Sequence, residues 1–360
     1  MSPGGQTQKA GQGANQYQTS SGDIVIHQGV SEERVRAIMH DEAERLKQEF
    51  AIEARAVIEE RLEQLDDRVV PRLATQGALG AFGDPAFIRS YRKAQNGAAA
   101  TEREADYDML AALLADRAEG LRDRPRMVAI DRAMEIVDQI DEGALRALTA
   151  VEGVRLWTPN IASLEEGLDE LEHLMSDLIP GDLPSGSDWI EQLDILDALR
   201  IGTFTLRPFD EYFPMKMNGY VAPGAQRSSA ALFENDGHDF TAWGVPVMDH
   251  ELKPGYVRIA ASCDRYARLN MELEGRAPES VEAAVAEAQG DFGLGSLDQA
   301  IVPEFLHRVK SRPTLAVISS WWDAIPTGLQ ITVVGRTLAR ANMHRLDLLG
   351  RLPQPERRDS

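Results

Sequence analysis

The sequence predicts a mainly α-helical fold: a multi-helix body with a long N-terminal amphipathic helix, a short N-terminal strand and a small mixed α/β C-terminal part. Three observations predict it. A run of about 40 residues after Ser31 contains neither glycine nor proline, which is typical of one long helix. Residues 84–150 repeat apolar positions at helical spacing between short connectors. Alternation typical of strands is confined to a few short segments.

The composition is that of a globular protein with an acidic excess. The 360 residues are 27% charged and 43% hydrophobic, with a net charge of -20. This excess disfavours nucleic acid and anionic membrane surfaces as partners. The single cysteine, Cys263, excludes a disulfide framework and zinc sites built from several cysteines. No stretch of about 18 apolar residues occurs and the first residues lack a signal-peptide core, so we expect a cytoplasmic protein without a membrane span.

The N-terminal region begins with a polar segment and a short strand. Residues 1–21 are rich in Gly, Gln, Ser and Thr, which predicts a disordered tail. Residues 22–29 read GDIVIHQG, and Ile24 and Ile26 fall on one face of an extended strand. Because a lone strand of this length is unstable in water, it must pair with the chain's own body or with another copy.

The long helix is expected to begin after Ser31, a good N-cap, and to span about 60 Å. Its apolar positions recur mostly at steps of three and four, opposite a charged face, as in coiled coils and bundles. Packing across its own domain is the alternative. We predict that residues 22–76 form an oligomerisation element. The residues expected at the contact are Ile24, Ile26, Val35, Ile38, Leu46, Phe50, Val57, Leu62 and Leu65.

The rest of the chain divides at changes in composition. Asp84-Pro85 is typical of a helix start, and Asn96-Gly97 of a helix end. A Gly- and Pro-rich stretch near residue 181 separates two halves. The expected parts are a helical body (77–180), a second helical part (181–300) with an irregular insertion (208–255), a winged-helix-like closing segment (301–346) and a basic tail (347–360).

Catalytic and metal motifs are sparse. The seven histidines form no His-x-x-x-His pair. Glu170 and His173 have a Glu-x-x-His spacing, but di-iron bundles combine two such motifs on facing helices with two further glutamates. We interpret this region as a solvated acidic face. The segment 236–264 holds His238 and His250 among acidic residues, which could form an acid–base or metal cluster or a polar surface loop. No phosphate-binding loop is present, and no cofactor is predicted.

The C-terminal charge is opposite in sign to that of the whole chain. Residues 308–360 hold nine basic and four acidic residues, a net charge of +5 that leaves -25 on the remainder. Three interpretations follow: nucleic-acid contact through Arg336, Arg340 and Arg345, docking onto the acidic body of the same or a neighbouring subunit, and a flexible charged tail.

Three stretches, in this order and spacing, resemble one family. They are GDIVIHQGVSEERVRAI (22–38), FGDPAFIRSYRKAQNGAAATE (82–102) with YDMLAALLADRAEG (107–120) and IDRAMEIVDQI (130–140), and LQITVVGRTLARANMHR (329–345). The set resembles an uncharacterised bacterial family named only by locus tags, of the Legionella and Veillonella type. The resemblance implies no activity and transfers no functional residue. The closing segment is similar to abortive-infection alpha proteins, which implies phage defence by analogy.

These observations favour a non-enzymatic cytosolic protein that self-assembles, with a role in phage defence or stress response suggested by the resemblance. The expected partner is another copy of the chain, or a different protein. One alternative is a winged-helix-like nucleic-acid-binding regulator that uses Arg336, Arg340 and Arg345. The other is a metal-dependent hydrolase built from the segment 236–264.

Overall fold

The computed structural model describes residues 32–119, 123–203, 205–235, 237–347, 350 and 352, with side chains from Ala51 onward. The chain forms two compact units, one ending at Ile58 and one beginning at Glu59. The predicted tail 1–21, the predicted strand 22–29 and most of the basic tail lie outside the described residues.

The fold is mainly helical, with a small antiparallel sheet part. The helices are α1 (Glu32–Thr75), α2 (Pro85–Ala100), α3 (Glu104–Glu119), α4 (Arg124–Ile136), α5 (Glu142–Leu156), α6 (Leu164–Leu178), α7 (Asp188–Ile195), α8 (Phe209–Lys216), α9 (Asp264–Leu273), α10 (Pro278–Phe292), α11 (Val302–Lys310), α12 (Pro313–Asp323) and α13 (Val333–Leu346). The strands are β1 (Leu199–Gly202), β2 (Ala225–Gln226), β3 (Phe233–Asn235), β4 (His238–Phe240), β5 (Pro246–Asp249), β6 (Tyr256–Ile259) and β7 (Gly328–Ile331). No helix in the described part of the chain is both long enough and apolar enough to cross a bilayer.

Several helices begin at residues whose side chains satisfy the free backbone N–H groups of the first turn. Asp84 accepts a hydrogen bond from the Ala86 N–H at 2.9 Å, and Pro85 occupies the first helical position of α2. Asp141 accepts from Gly143 at 2.8 Å and starts α5, and Thr332 starts α13 in the same way. These starts follow from local sequence because the capping side chain and the backbone N–H that it accepts from lie within three residues of each other.

The main core of the second unit is a helical body closed by the last helix. Helices α2, α3 and α4 pack against one another, and α13 contacts α3, α4 and α5. The C-terminal part of α1 joins this core through Leu65, Val69 and Leu73, each at most 1% exposed. The last described helix therefore completes a core that begins with α1.

Strand β7 pairs with a strand far away in sequence. It lies antiparallel to β1, with Leu199 opposite Ile331 and Gly202 opposite Gly328. The expectation of a winged-helix-like segment at 301–346 requires a local β-hairpin, and the described residues of that segment contain this one strand. The segment differs from a winged helix because β1, from the preceding half, supplies the pairing edge.

The segment 208–255, expected to be an irregular insertion, contains α8 and most of a five-stranded sheet. The strand order is β2-β6-β5-β4-β3, with antiparallel pairs throughout. One face packs on α9 and α10 in a second core that includes Val257, Ile259 and Phe292. The strands have two to four residues and are joined by turns with glycines at positive φ, including Gly237 and Gly244. Strands this short show no clear alternation in the sequence.

Candidate functional site

The predicted association residues divide into three groups in the structure. Leu65 is fully buried in the core of its own chain, which corrects its assignment to a contact between copies. Leu62 is half-buried, and Val57 is 42% exposed. The positions Val35, Ile38, Leu46 and Phe50 lie on α1, with side chains outside the described residues, and Ile24 and Ile26 lie outside the described backbone.

An apolar seam runs along α1 at steps of three and four residues. Its lower part comprises Leu65, Val69 and Leu73, which are buried in the helical body, and the half-buried Leu62. The same spacing continues upward to Ile58 and Ala54, and in the sequence to Phe50, Leu46, Ala43, Met39 and Val35. We call positions 35 to 58 of this series the upper seam. Ile58 is 41% exposed, and nearby Ile52 is 68% exposed. Large apolar side chains therefore meet solvent on this helix.

The basic C-terminal part docks on the acidic body of its own chain. The Arg312 guanidinium lies 2.9 Å from a Glu165 carboxylate oxygen and 2.7 Å from Asp169, both on α6. Arg308 also reaches Glu165, at 2.8 Å. The hydrogen bond from Arg312 is the main cause of the lowered pKa of Glu165. The charge asymmetry of the sequence therefore corresponds to an internal interface between α6 and α11–α12.

The acidic face of α6 also supports the start of α12. The Glu172 carboxylate accepts hydrogen bonds from the backbone N–H groups of Thr314 at 2.8 Å and Leu315 at 3.0 Å. Within the described residues, no group of three or more His, Cys, Asp and Glu side chains is arranged to hold a metal ion. The acidic side chains Glu165, Asp169 and Glu172 of this face thus form ion pairs or cap a helix.

Three arginines were predicted to contact nucleic acid or a neighbouring subunit, and each makes an internal contact. Arg336 donates to the carbonyl oxygen of Ile331 at 2.9 Å. Arg340 pairs with the buried carboxylate of Glu152 on α5 at 3.1 Å. Arg345 donates through Nε and Nη2 to the side-chain oxygen of Asn342, at 3.1 and 2.9 Å. Arg336 and Arg345 have no ion pair in the described part of the chain.

The residues of the predicted hydrolase segment do not converge. His238 is exposed on β4, whereas His250 is buried, and both of its ring nitrogens are engaged. Nδ1 accepts from the Leu252 N–H at 3.3 Å, so Nε2 carries the proton that is donated to the Ala222 carbonyl at 2.9 Å. Burial lowers the pKa of His250, which favours this neutral ring. Asp236 lies outside the described residues.

The neighbouring nucleophile candidates are buried and engaged. Ser262 donates a hydrogen bond to the carbonyl oxygen of Pro159. Burial raises the pKa of the Cys263 thiol, which disfavours the reactive thiolate. Asp249 is exposed and pairs with Arg227 at 2.7 Å. These contacts support the packing of the small sheet rather than a shared reaction centre.

A buried ion pair that sequence reasoning missed links the small sheet to α6. Arg258 on β6 is fully buried, and its guanidinium makes two 2.8 Å hydrogen bonds to the Glu251 carboxylate. Glu251 also accepts from the Leu164 N–H at the start of α6, at 2.9 Å. Burial opposes ionisation of Glu251, but Arg258 and this N–H outweigh it, so the pKa of Glu251 is lowered. Arg258 and Glu251 are seven residues apart, a spacing that matches neither a helical nor a strand neighbour, and Leu164 is 87 residues from Glu251, so no local pattern reveals the contact.

A cleft lies between the C-terminal part of α1, α3 and α13, and has a volume of about 710 Å³. We call it the arginine cleft. Its charged lining consists of Asp67, Arg68, Arg72, Asp108, His344 and Arg345. Only Arg345 among these residues belonged to a predicted site. The other arginines appear in the sequence as part of a solvated helix face, so their spacing gives no signal of a cleft.

Comparison with known proteins identifies a family but no activity. The model of an uncharacterised family, known by a locus tag, matches residues 29–348, which is more than half of the chain. The matched region begins just before α1 and ends just after α13. No curated protein and no solved structure matches the chain.

Proposed function

Because the chain belongs to this uncharacterised family, whose name carries no activity, we propose its function from the physical chemistry of α1. We propose that the protein is a non-enzymatic self-assembling protein in which the upper seam of α1 packs against the same seam of a second copy. The observation that carries the proposal is the exposure of Ile58 on the upper seam, at 41%, with the adjacent Val57 42% exposed.

Exposed apolar side chains on a long helix are costly to leave in water. Burying a large aliphatic side chain contributes about 1.5–3 kcal/mol. The seam positions extend over most of the 44 residues of α1, whereas the described packing buries its last four turns at Leu62, Leu65, Val69 and Leu73. Packing of the remaining positions against another helix would remove this apolar surface from water.

A second copy is a suitable partner because the helix is close to charge balance. Between Glu32 and Thr75 there are twelve acidic and eight basic residues, so α1 has a much smaller net charge than the -20 of the whole chain. Two identical helices can then place opposite charges across the seam, and a two-fold contact uses the same surface on both copies.

The proposal is tested by the mass of the native assembly. Full-length protein and its Ile58→Glu variant are compared by light scattering across a concentration series, with circular dichroism to confirm that both are folded. Ile195→Glu is the matched control, because Ile195 is 79% exposed on a different helix, α7. We expect an oligomer for wild type and the control, and a smaller species for Ile58→Glu. A monomeric wild type, or an assembly unchanged by Ile58→Glu, would refute the proposal.

A role in phage defence is a further part of the proposal, and it rests on an analogy that we draw from the sequence alone, between residues 329–345 and the ending of abortive-infection alpha proteins. Plating a broad phage panel on cells with and without the protein tests it. Protection that is lost in the Ile58→Glu variant would link defence to assembly. No protection against any phage would contradict this role. Protection that Ile58→Glu leaves intact would contradict the link between defence and assembly.

Two alternative functions remain predictions with their own tests. A nucleic-acid-binding regulator using Arg336, Arg340 and Arg345 would bind duplexes with an affinity that falls steeply with salt. The absence of binding at low ionic strength would exclude it. A metal-dependent hydrolase using the segment 236–264 would purify with a metal that is lost in His238→Ala or His250→Ala.

A further inference from the structure

The arginine cleft contains guanidinium groups that the described residues leave incompletely satisfied. Arg68 is engaged through two of its three nitrogens: its Nε donates to Asp108 at 2.7 Å, and its Nη1 donates to the carbonyl and side-chain oxygens of Gln64, both at 2.9 Å. Arg72, one turn further along α1, donates one hydrogen bond, to the Asp108 carbonyl at 3.3 Å. Among the described residues, no carboxylate lies within ion-pair distance of Arg72.

Arg345 lies on α13, on the opposite wall of the cleft, and also lacks an ion pair within the described residues. Its Nε and Nη2 both donate to one neutral acceptor, the amide oxygen of Asn342, and in the described part of the chain it has no ion pair. Asn342 is itself held in place, since its Nδ2 donates to Thr149 at 2.9 Å. Burial lowers the pKa of Arg345, although carboxylates including Asp108 and Asp106 act in the opposite direction. A half-buried cation of this kind gains from an anion that can accept its remaining hydrogen bonds.

The cleft has the size of a small-molecule site and a charged lining. Its volume of about 710 Å³ falls within the range of about 300–1,000 Å³ typical of ligand pockets. The two arginines come from different helices, α1 and α13, and exposed His344 lines the same space. Asp67 adds two acceptors. One is its carboxylate, and the other is its backbone carbonyl oxygen, because Pro71, four residues later, has no N–H to bond it.

We propose that the arginine cleft binds a small phosphate-bearing molecule, with its phosphate between Arg72 and Arg345. A phosphate offers three acceptor oxygens and nearly two negative charges at neutral pH, which suits planar guanidinium groups that approach from two sides. The acceptors at Asp67 suit hydroxyl groups of the same molecule. The proposal does not depend on self-association, since all of these residues lie in the unit that begins at Glu59.

Titration calorimetry with pyrophosphate tests the proposal on the full-length protein at fixed low ionic strength. Arg72→Gln is the informative variant, because Arg72 makes one hydrogen bond within the protein and its loss leaves the core intact. Arg89→Gln is the matched control, because Arg89 is an exposed residue of α2 outside the cleft and the substitution changes the charge by the same amount. Malonate, a dicarboxylate, distinguishes phosphate recognition from attraction to any small anion.

We expect pyrophosphate to bind the wild type and Arg89→Gln with equal affinity, and Arg72→Gln about ten-fold or more weakly, since a charged hydrogen bond contributes about 1.5–3 kcal/mol. Malonate should bind much more weakly than pyrophosphate. Absence of pyrophosphate binding, or equal binding by Arg72→Gln and Arg89→Gln, would overturn the site. Equal affinity for malonate would overturn the phosphate assignment.

Discussion

Gly335 packs against the backbone carbonyl group of Ala198 so closely that a Cβ atom at this glycine would overlap the carbonyl oxygen. Thr332 holds the same contact from its other side. Its backbone N–H donates to the Ala198 carbonyl at 3.1 Å, and its hydroxyl donates to the neighbouring Asp197 carbonyl at 2.6 Å and accepts from the Gly335 N–H at 3.1 Å. The Thr-x-x-Gly pattern of the closing segment therefore joins the start of α13 to the residue just before β1.

The first prediction concerns this contact. Gly335→Ala should lower the free energy of unfolding by about 1–3 kcal/mol, because the added methyl group has no space and the backbone must shift. Gly290→Ala is the control, since Gly290 lies within α10 with no atom near its missing Cβ. Alanine there should be neutral, or stabilising by up to about 1 kcal/mol. Urea denaturation measures both variants, and equal stability of the two would contradict the close contact.

The second prediction concerns the cap that α6 provides for α12. Glu172→Ala should cost about 1–2 kcal/mol, because the N–H groups of Thr314 and Leu315 lose their acceptor. Glu166→Ala, on the exposed face of the same helix, removes the same charge without disturbing a cap. Thermal unfolding of the two variants should therefore differ. If Glu166→Ala is equally destabilising, the loss comes from helix charge and not from the cap.

The third prediction is a pH dependence that originates at Lys216. Its ammonium group donates to the carbonyls of Val154 and Trp157, and burial lowers its pKa to about 7. Between pH 7 and its ordinary pKa of 10.5, the unfolded chain binds more protons at this lysine than the folded one does. The free energy of unfolding should therefore rise with pH across this window.

Denaturation between pH 7 and 8.5 isolates the Lys216 contribution, because the buried Cys263 thiol acts in the opposite direction only near the ordinary cysteine pKa of 9.0 and above. Lys216→Met should have a flatter stability profile than wild type over this range. Lys310→Met, which removes an exposed lysine paired with Asp210 at 2.6 Å, should keep the wild-type slope. An identical slope in Lys216→Met and wild type would show that this lysine titrates normally.

The fourth prediction separates a structural histidine from an exposed one. His250→Ala should lose about 1–3 kcal/mol, because the N–H of Leu252 and the carbonyl of Ala222 lose their buried partners. His238→Ala should have little effect on stability, since His238 is exposed. Metal analysis of both variants completes the experiment. A metal present in wild type and absent from either variant would favour the hydrolase alternative over the structural role.

Local sequence signals predicted several helices of the helical body, but tertiary packing changed where some of these helices end. The Asp84-Pro85 cap begins α2 as expected, but Asn96-Gly97 does not end it, and α2 continues to Ala100. Gly97 is buried, with its missing Cβ 3.3 Å from the Met134 carbonyl oxygen. This glycine allows α4 to approach α2 closely. A helix end and a helix crossing can use the same residue type, so the sequence did not distinguish them.

The sequence by itself determined where many helices begin, the mainly helical class, the excess of acidic residues and the opposite charge of the last fifty residues. Caps and helical hydrogen bonds join residues within about four positions, so short-range chemistry is enough to specify them. Only the tertiary structure decided that Arg312 meets Glu165, that Asn342 meets Thr149 and that arginines of α1 and α13 line one cleft. These partners are separated by more than a hundred positions, and their meeting depends on how whole helices pack.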